Sequence, residues 1–227
     1  MKTTVISLGG SIVVPSSIDT DFLKTFKKAI DAYLSSHTNE RLIFVVGGGA
    51  LARNYQNAVK ALNPNVSNDE LDRVGIRATH INGEYVRLAL GATSPLVVEP
   101  KKRNIPFEGK ILVAGGWKPG FSTDTDAVYL ALKFGATTVI NLSNTDMVYT
   151  TDPRKDKNAI PIEKASWSEF LKLVGTTWEP GRNVPFDPIA SKLAKKHSIK
   201  VVCANGRKIN NTINILSGRD FIGTTIT

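Results

Sequence analysis

The sequence predicts a three-layer αβα sandwich built on a largely parallel central sheet, and three features carry that prediction. Short β-branched runs recur along the chain, segments with helical spacing separate them, and glycine clusters follow directly on three of the runs.

The runs fall at residues 3–8, 42–46, 96–99, 111–114, 138–142 and 200–204. Each is too short for a helix of ordinary length and reads as a buried strand. Between them, apolar residues at helical spacing mark residues 21–35, 50–62, 68–90, 124–134, 167–174, 187–197 and 209–217. Strand and helix alternate, which is the pattern of a parallel sheet covered on both faces. Residues 221–226 add a last edge strand, and residues 176–188, with three prolines and one glycine, form a long exposed loop.

With 227 residues, 41% of them hydrophobic, the chain can bury a sizeable core, and no break in composition divides it; residues 1–227 are expected to form one domain. The N-terminus enters a strand without the features of a signal peptide, and no run of apolar residues is long enough to span a bilayer. The single cysteine, Cys203, lies within an apolar run and has no internal partner for a disulfide, so a reducing cytoplasm is the expected compartment. The net charge of +9 is scattered, with few aromatics interleaved, which argues against nucleic acid as a partner. Even the densest basic runs, at Lys101, Lys102 and Arg103 and at Lys195 and Lys196, fit solvated surface with a field that draws in small anions.

The glycines are the informative residues. Gly9 and Gly10, then Gly47, Gly48 and Gly49, then Gly115 and Gly116, all follow apolar strands directly. In an open parallel sheet these positions line the crevice at the carboxyl ends of the strands, where glycine allows close backbone approach to an anion. Three such clusters favour a site for several phosphates. The spacings of dinucleotide-binding and Walker motifs are both absent, which disfavours a dehydrogenase or a P-loop ATPase. Beyond the third cluster, Ser122, Thr123, Asp124, Thr125 and Asp126 crowd a helix start, more polar side chains than an N-cap requires.

Taken in order, the segments LGGS, VVGGGALAR, DRVGIRATHING, GGWKPGFSTD, NTDMVYTTDP and FDPIASKLA resemble the archaeal-type uridylate kinases of the amino acid kinase superfamily over nearly the whole chain. That resemblance implies the amino acid kinase fold, transfer of phosphate from ATP to UMP in pyrimidine nucleotide biosynthesis, magnesium arriving with ATP, and a homo-oligomer, specifically a hexamer. Magnesium needs no dedicated protein ligands on this view, because no His, Cys or carboxylate cluster has the spacing of a metal cage.

The resemblance also implies residue roles. Gly9, Gly10 and Ser11 cradle ATP phosphates, Gly49 and Arg53 face ATP, and Ser143, Asn144, Tyr149 and Asp152 hold the rest of that nucleotide. Gly48 and Asp72 face UMP, with Asp72 on its ribose, and Trp117, Lys118, Pro119, Gly120, Phe121, Ser122 and Thr123 wrap its phosphate. Asp124 closes that loop, and Arg53, Lys118 and Asp124 form the catalytic set. The N-terminal half is mainly for the acceptor and the C-terminal half mainly for ATP. Asp187 is expected to serve as a helix N-cap before Pro188.

Two positions depart from the family pattern. Ser7 stands where many members carry a lysine, and Lys118 and Arg182 are the candidates to replace its charge. Met147 stands where the family usually has glycine. Two alternatives stay open: a sister kinase for another phosphorylated acceptor such as isopentenyl phosphate, and, prompted by Ser7 and Met147, a catalytically silent nucleotide-binding assembly protein. The first is weakened by the absence of a histidine next to the glycine clusters in sequence. His37, His80 and His197 each stand alone.

Overall fold

The computed structural model describes residues 1–175 and 184–227. The first half alternates β1 (Lys2–Leu8), α1 (Gly10–Val13), α2 (Thr20–Ser36), β2 (Glu40–Val46), α3 (Gly49–Leu62), α4 (Asn68–Leu90), β3 (Ile111–Ala114) and α5 (Thr123–Lys133). The second half continues with β4 (Thr138–Ser143), β5 (Val148–Tyr149), β6 (Pro161–Ile162), β7 (Lys164–Ala165), α6 (Trp167–Val174), α7 (Pro188–Lys196), β8 (Lys200–Asn205), α8 (Ile209–Leu216) and β9 (Thr224–Ile226). The seven-stranded sheet has the order β3-β2-β1-β4-β8-β9-β7, and β5 and β6 form a separate antiparallel pair.

Alternation along each central strand sends residues to opposite faces, and the core splits accordingly. Val5, Ile43, Val45 and Val139 join one apolar cluster with α5, α6 and α7. Their neighbours Ile6, Leu42, Phe44 and Ile140 join the other, with α2, α4 and α8. Both faces are therefore covered, which is why these strands read as continuous apolar runs. Full burial of a side chain such as Phe26 or Phe44 contributes about 1.5–3 kcal/mol.

Helix ends follow local chemistry. The side chains of Asp19, Ser67, Ser122, Ser166 and Asp187 each accept a backbone N–H at the start of a helix. α4 stops at Gly91, whose φ of 71° suits glycine.

Three sequence expectations are corrected. The strand expected at 96–99 is reduced to a single parallel bridge between Val97 and Ala114. Pro95 and Pro100 flank it and cannot donate to a ladder. The C-terminal strand is not an edge: β9 lies inside the sheet, antiparallel to β8 and parallel to β7, so the two-residue β7 forms the edge. Of the loop expected at 176–188, residues 176–183 lie outside the described residues, and its end is not exposed, since Phe186 and Asp187 are buried.

The order of the strands positions the site. From β1 the chain steps outward through β2 to β3, then returns to place β4 on the other side of β1. The carboxyl end of β1 thus marks a switch point, where open α/β sheets place their ligand crevice.

Candidate active site

At the end of β1 the Gly9 N–H donates to Leu142 O at 2.9 Å, and the Gly47 N–H donates to Leu8 O at 3.0 Å. The first glycine turn is thereby held between β4 on one side and the second turn on the other. The reason for glycine here is sharper than free access to an anion. A Cβ on Gly10 would lie 2.0 Å from Gly49 N and 2.6 Å from the Gly47 carbonyl, so the two turns touch backbone to backbone. Gly49 adds a φ of 60°, and a Cβ there would lie 2.4 Å from Gly10 O.

Two cavities flank this junction. One, of about 280 Å³, is lined by Gly48, Gly49, Arg53, Asp72, Phe121, Ser122 and Thr123, together with Ala52, Gln56, Gly75, Ile76, Thr79 and Gly116. Every lining residue comes from the second and third glycine clusters, α3, α4 and the loop that enters α5. The other, of about 260 Å³, is lined by Ser143, Asn144, Tyr149 and Asp152 and also by Thr145, Met147, Thr150, Thr151, Pro153 and Arg154, with Leu173, Val174, Val184 and Pro185 behind them. Ser143, Asn144, Tyr149 and Asp152 thus share one cavity, while Gly49 and Arg53, expected to face ATP, line the other with Gly48 and Asp72, and Gly9, Gly10 and Ser11 line neither.

Within the first cavity, Asp72 is already engaged: its Oδ2 accepts the Gly120 N–H at 3.0 Å. Burial lifts this carboxyl above its ordinary range, the Gly120 N–H opposes that rise, and Asp69 adds to it. Gly120 itself has a φ of 81°, which a side chain would resist. Trp117, Lys118, Pro119 and Gly120 do not line the cavity. Lys118 Nζ instead rests over the Trp117 and Phe121 rings, 4.3 and 4.9 Å from their centroids. Among the described residues Arg53 is the one cation lining the cavity. Among the described residues it has no ion-pair partner within 4.0 Å.

In the second cavity Asp152 is also occupied, since both its oxygens accept from Arg154, the two guanidinium contacts each being 2.9 Å. That pairing holds the carboxyl below its usual range. A nucleotide contact at Asp152 therefore competes with Arg154.

Beneath the acceptor loop lies a feature with no counterpart in the sequence reading: a cluster of three carboxylates, Asp126 and Asp187 buried and Asp124 half-buried. Ser7 Oγ donates to Asp124 Oδ1 at 2.9 Å, and the Asp187 N–H donates to Asp124 Oδ2 at 3.3 Å. Asp187 caps α7 as expected, accepting Ile189 and Ala190 N–H on Oδ1, but its Oδ2 accepts the hydroxyls of Ser122 and Thr125. Ser7, at the position of the family lysine, is thus tied to a carboxylate rather than exposed to ligand.

Burial, then the neighbouring Asp187, pushes the Asp124 carboxyl up to about 7, with Ser7 and the Asp187 N–H opposing. Burial raises Asp126 to about 7 as well, opposed by the Trp117 N–H and reinforced by Asp187 and Asp124. The folded protein thus retains protons that the unfolded chain releases above about pH 4. Their contribution to stability is present below that pH and lost as pH rises to about 7. Urea unfolding midpoints are expected to fall less between about pH 5 and about pH 8 in Asp126→Asn than in the parent; equal slopes would remove Asp126 from this account.

Tertiary contact also corrects the histidine reading. His80 Nε2 lies 2.7 Å from Gly116 O, so a histidine does stand against the third glycine cluster. The contact spans 36 residues of sequence and engages the ring with backbone rather than with the cavity. Sequence reasoning also passed over Gln56, Gly75, Ile76 and Thr79. The last three share a helical stripe with Asp72, at spacings of three, four and seven, and that stripe was the available signal.

The model of the amino acid kinase family matches residues 2–205. A uridylate kinase of Thermoplasma volcanium is 34% identical over 99% of this chain and 97% of its own. One from Methanospirillum hungatei is 35% identical over 100% of this chain and 95% of its own. The crystal structure of uridylate kinase from Archaeoglobus fulgidus superposes with a TM-score of 0.81 at 30% identity, covering all of both chains. A UMP kinase structure from Bacillus anthracis, at 19% identity and a TM-score of 0.80, shares the fold. From the family match and these full-length relatives, the chain belongs to the amino acid kinase family.

Proposed function

We propose that this protein transfers the terminal phosphoryl group of ATP to UMP, giving ADP and UDP. An oxygen of the UMP phosphate forms the new bond to the γ-phosphorus, and the bond from that phosphorus to the β–γ bridging oxygen breaks, its electrons leaving with ADP. The observation that carries this reading is the pair of cavities on either side of the β1 glycine turn, one presenting Asp72 and Arg53, the other Tyr149, Asn144 and several hydroxyls. In-line transfer needs two nucleotides held end to end and little covalent participation by the protein.

On this reading Gly48, Asp72 and the Phe121, Ser122 and Thr123 side of the loop hold UMP, while Ser143, Asn144 and Tyr149 hold ATP. Gly10, Ser11 and Gly49 offer backbone amides where the phosphates would meet, the Gly9 N–H being given to Leu142 O so that Gly9 shapes the turn, and Arg53 meets the moving charge. Asp124 anchors the base of the site through Ser7 and the Asp187 backbone. Among the described residues no group of three or more His, Cys, Asp or Glu side chains is arranged to hold a metal ion. Magnesium would accordingly be held by the ATP phosphates, where it neutralises their charge. The chain acts as one domain with an acceptor half and a donor half, in the cytoplasm, as a homo-oligomer for which a hexamer is our proposal. Among the described residues no helix is long and apolar enough to cross a membrane.

The test is ADP release from ATP and magnesium with a panel of nucleoside monophosphates and with isopentenyl phosphate. UMP is expected to be the preferred acceptor. Turnover only with isopentenyl phosphate would overturn the substrate, and ATP binding without turnover of any acceptor would overturn the activity. The full-length likeness to proteins named uridylate kinase weighs against both.

Asp72→Asn separates the two cavities. The amide keeps an oxygen for the Gly120 N–H but removes the charge, so UMP is expected to bind about tenfold more weakly or worse, and ATP nearly as in the parent. Calorimetric titrations showing equal losses for both nucleotides would reject the assignment of Asp72.

A further inference from the structure

Asp126 has no part in the roles given above. It is wholly buried in the first turn of α5, yet carries no apolar side chain, and among the described residues it faces no cation: the charged groups acting on it are Asp124, from its own helix, and Asp187, ahead of α7. Its Oδ2 accepts the Trp117 N–H at 3.1 Å, while Oδ1 has no hydrogen-bond partner among the described residues. A buried carboxylate with an unmatched oxygen lowers stability, and its neighbours Ala127, Val128, Leu130 and Ala131 show that this helix face otherwise packs with apolar residues. Its one clear interaction is with the first residue of the loop after the third glycine cluster.

That loop is held by carboxylates at three points. Asp126 holds Trp117, Asp72 holds Gly120 and Asp187 holds Ser122. The latter two also serve elsewhere, Asp72 in the cavity wall and Asp187 as the cap of α7. We propose that Asp126 is a positioning residue for the acceptor: by fixing the Trp117 amide it sets the start of the loop, and so the placement of Phe121, Ser122 and Thr123 in the cavity wall. This inference rests on the reading of that cavity as the acceptor site.

Two measurements test it, one of them independent of activity. Hydrogen exchange in the free protein, read on a peptide spanning residues 115–123, is expected to speed up severalfold in Asp126→Ala. Asp126→Asn, which keeps an acceptor oxygen for the Trp117 N–H, should exchange like the parent. In steady-state assays the alanine variant is expected to raise the Michaelis constant for UMP about tenfold, with that for ATP and the catalytic constant nearly unchanged, and asparagine should restore it. If the alanine variant does not fold, Asp126→Leu, close in shape and lacking the acceptor, takes its place. Parental exchange in the variant without an acceptor would overturn the proposal. So would equal impairment of the asparagine and alanine variants, or equal losses for UMP and ATP. If the parent does not phosphorylate UMP, the functional reading fails, and the exchange measurement alone decides whether Asp126 positions the loop.

Discussion

Arg53→Ala is expected to lower the catalytic constant about 100-fold or more, while the Michaelis constants for UMP and ATP move much less. Phosphoryl transfer spreads negative charge over the equatorial oxygens of the moving group, and that charge must be met by groups already in place. Ser7, at the position of the family lysine, supplies no charge and is committed to Asp124. Lys118 lies on the Trp117 and Phe121 rings, outside the lining of the acceptor cavity. Arg182, the other candidate from the sequence, lies outside the described residues. Among the described residues Arg53 is the cation that lines the cavity, in the first turns of α3 after Gly49, and no carboxylate there pairs with it. If the contact forms mainly in the transition state, its loss appears in the catalytic constant and not in ground-state binding. Steady-state kinetics on the folded variant decide the matter: turnover of UMP near the parental rate would transfer the role to another cation, with Arg182 and Lys118 the next to substitute.

Gly10→Ala is expected to be the most damaging single-methyl change in the protein, costing about 3 kcal/mol or more and abolishing turnover. The added Cβ would meet Gly49 N at 2.0 Å and the Gly47 carbonyl at 2.6 Å, all of it backbone that no rotamer can move aside. Relief requires the first and second glycine turns to separate, which also breaks the junction between the two cavities. Gly135→Ala is the matched control. Its φ of 67° costs the strain of a left-handed residue, about 1–2 kcal/mol, but nothing lies within 4 Å of the added atom. Urea denaturation of the two variants compares them directly; a Gly10→Ala protein as stable as Gly135→Ala would mean the turns can part without loss.

The alternation of the central strands and helices, the cap at Asp187 and the glycine clusters at strand ends were legible in the sequence, because each depends on a residue and its near neighbours; the cap of α5 was narrowed only to Ser122, Thr123 or Asp124, and the two-residue strands β5, β6 and β7 left no periodic signal. The motifs grouped much of each lining, because Gly48 and Gly49 with Arg53, or Ser143 and Asn144 with Tyr149, are local segments, but that Gly49 and Arg53 share a cavity with Asp72 was decided by the fold. What only the tertiary structure decided are the contacts between residues far apart in the chain. Ser7 meets Asp124 across 117 residues, and Asp187 meets Ser122 across 65. These contacts convert an apparent excess of polar residues at one helix start into a buried carboxylate cluster. The same holds for His80 against Gly116, for β9 entering the sheet between β8 and β7, and for Gly10 against Gly49. Hydrophobic periodicity and turn chemistry act over a few residues, whereas burial, and with it the protonation of Asp124 and Asp126, is set by everything packed around a side chain.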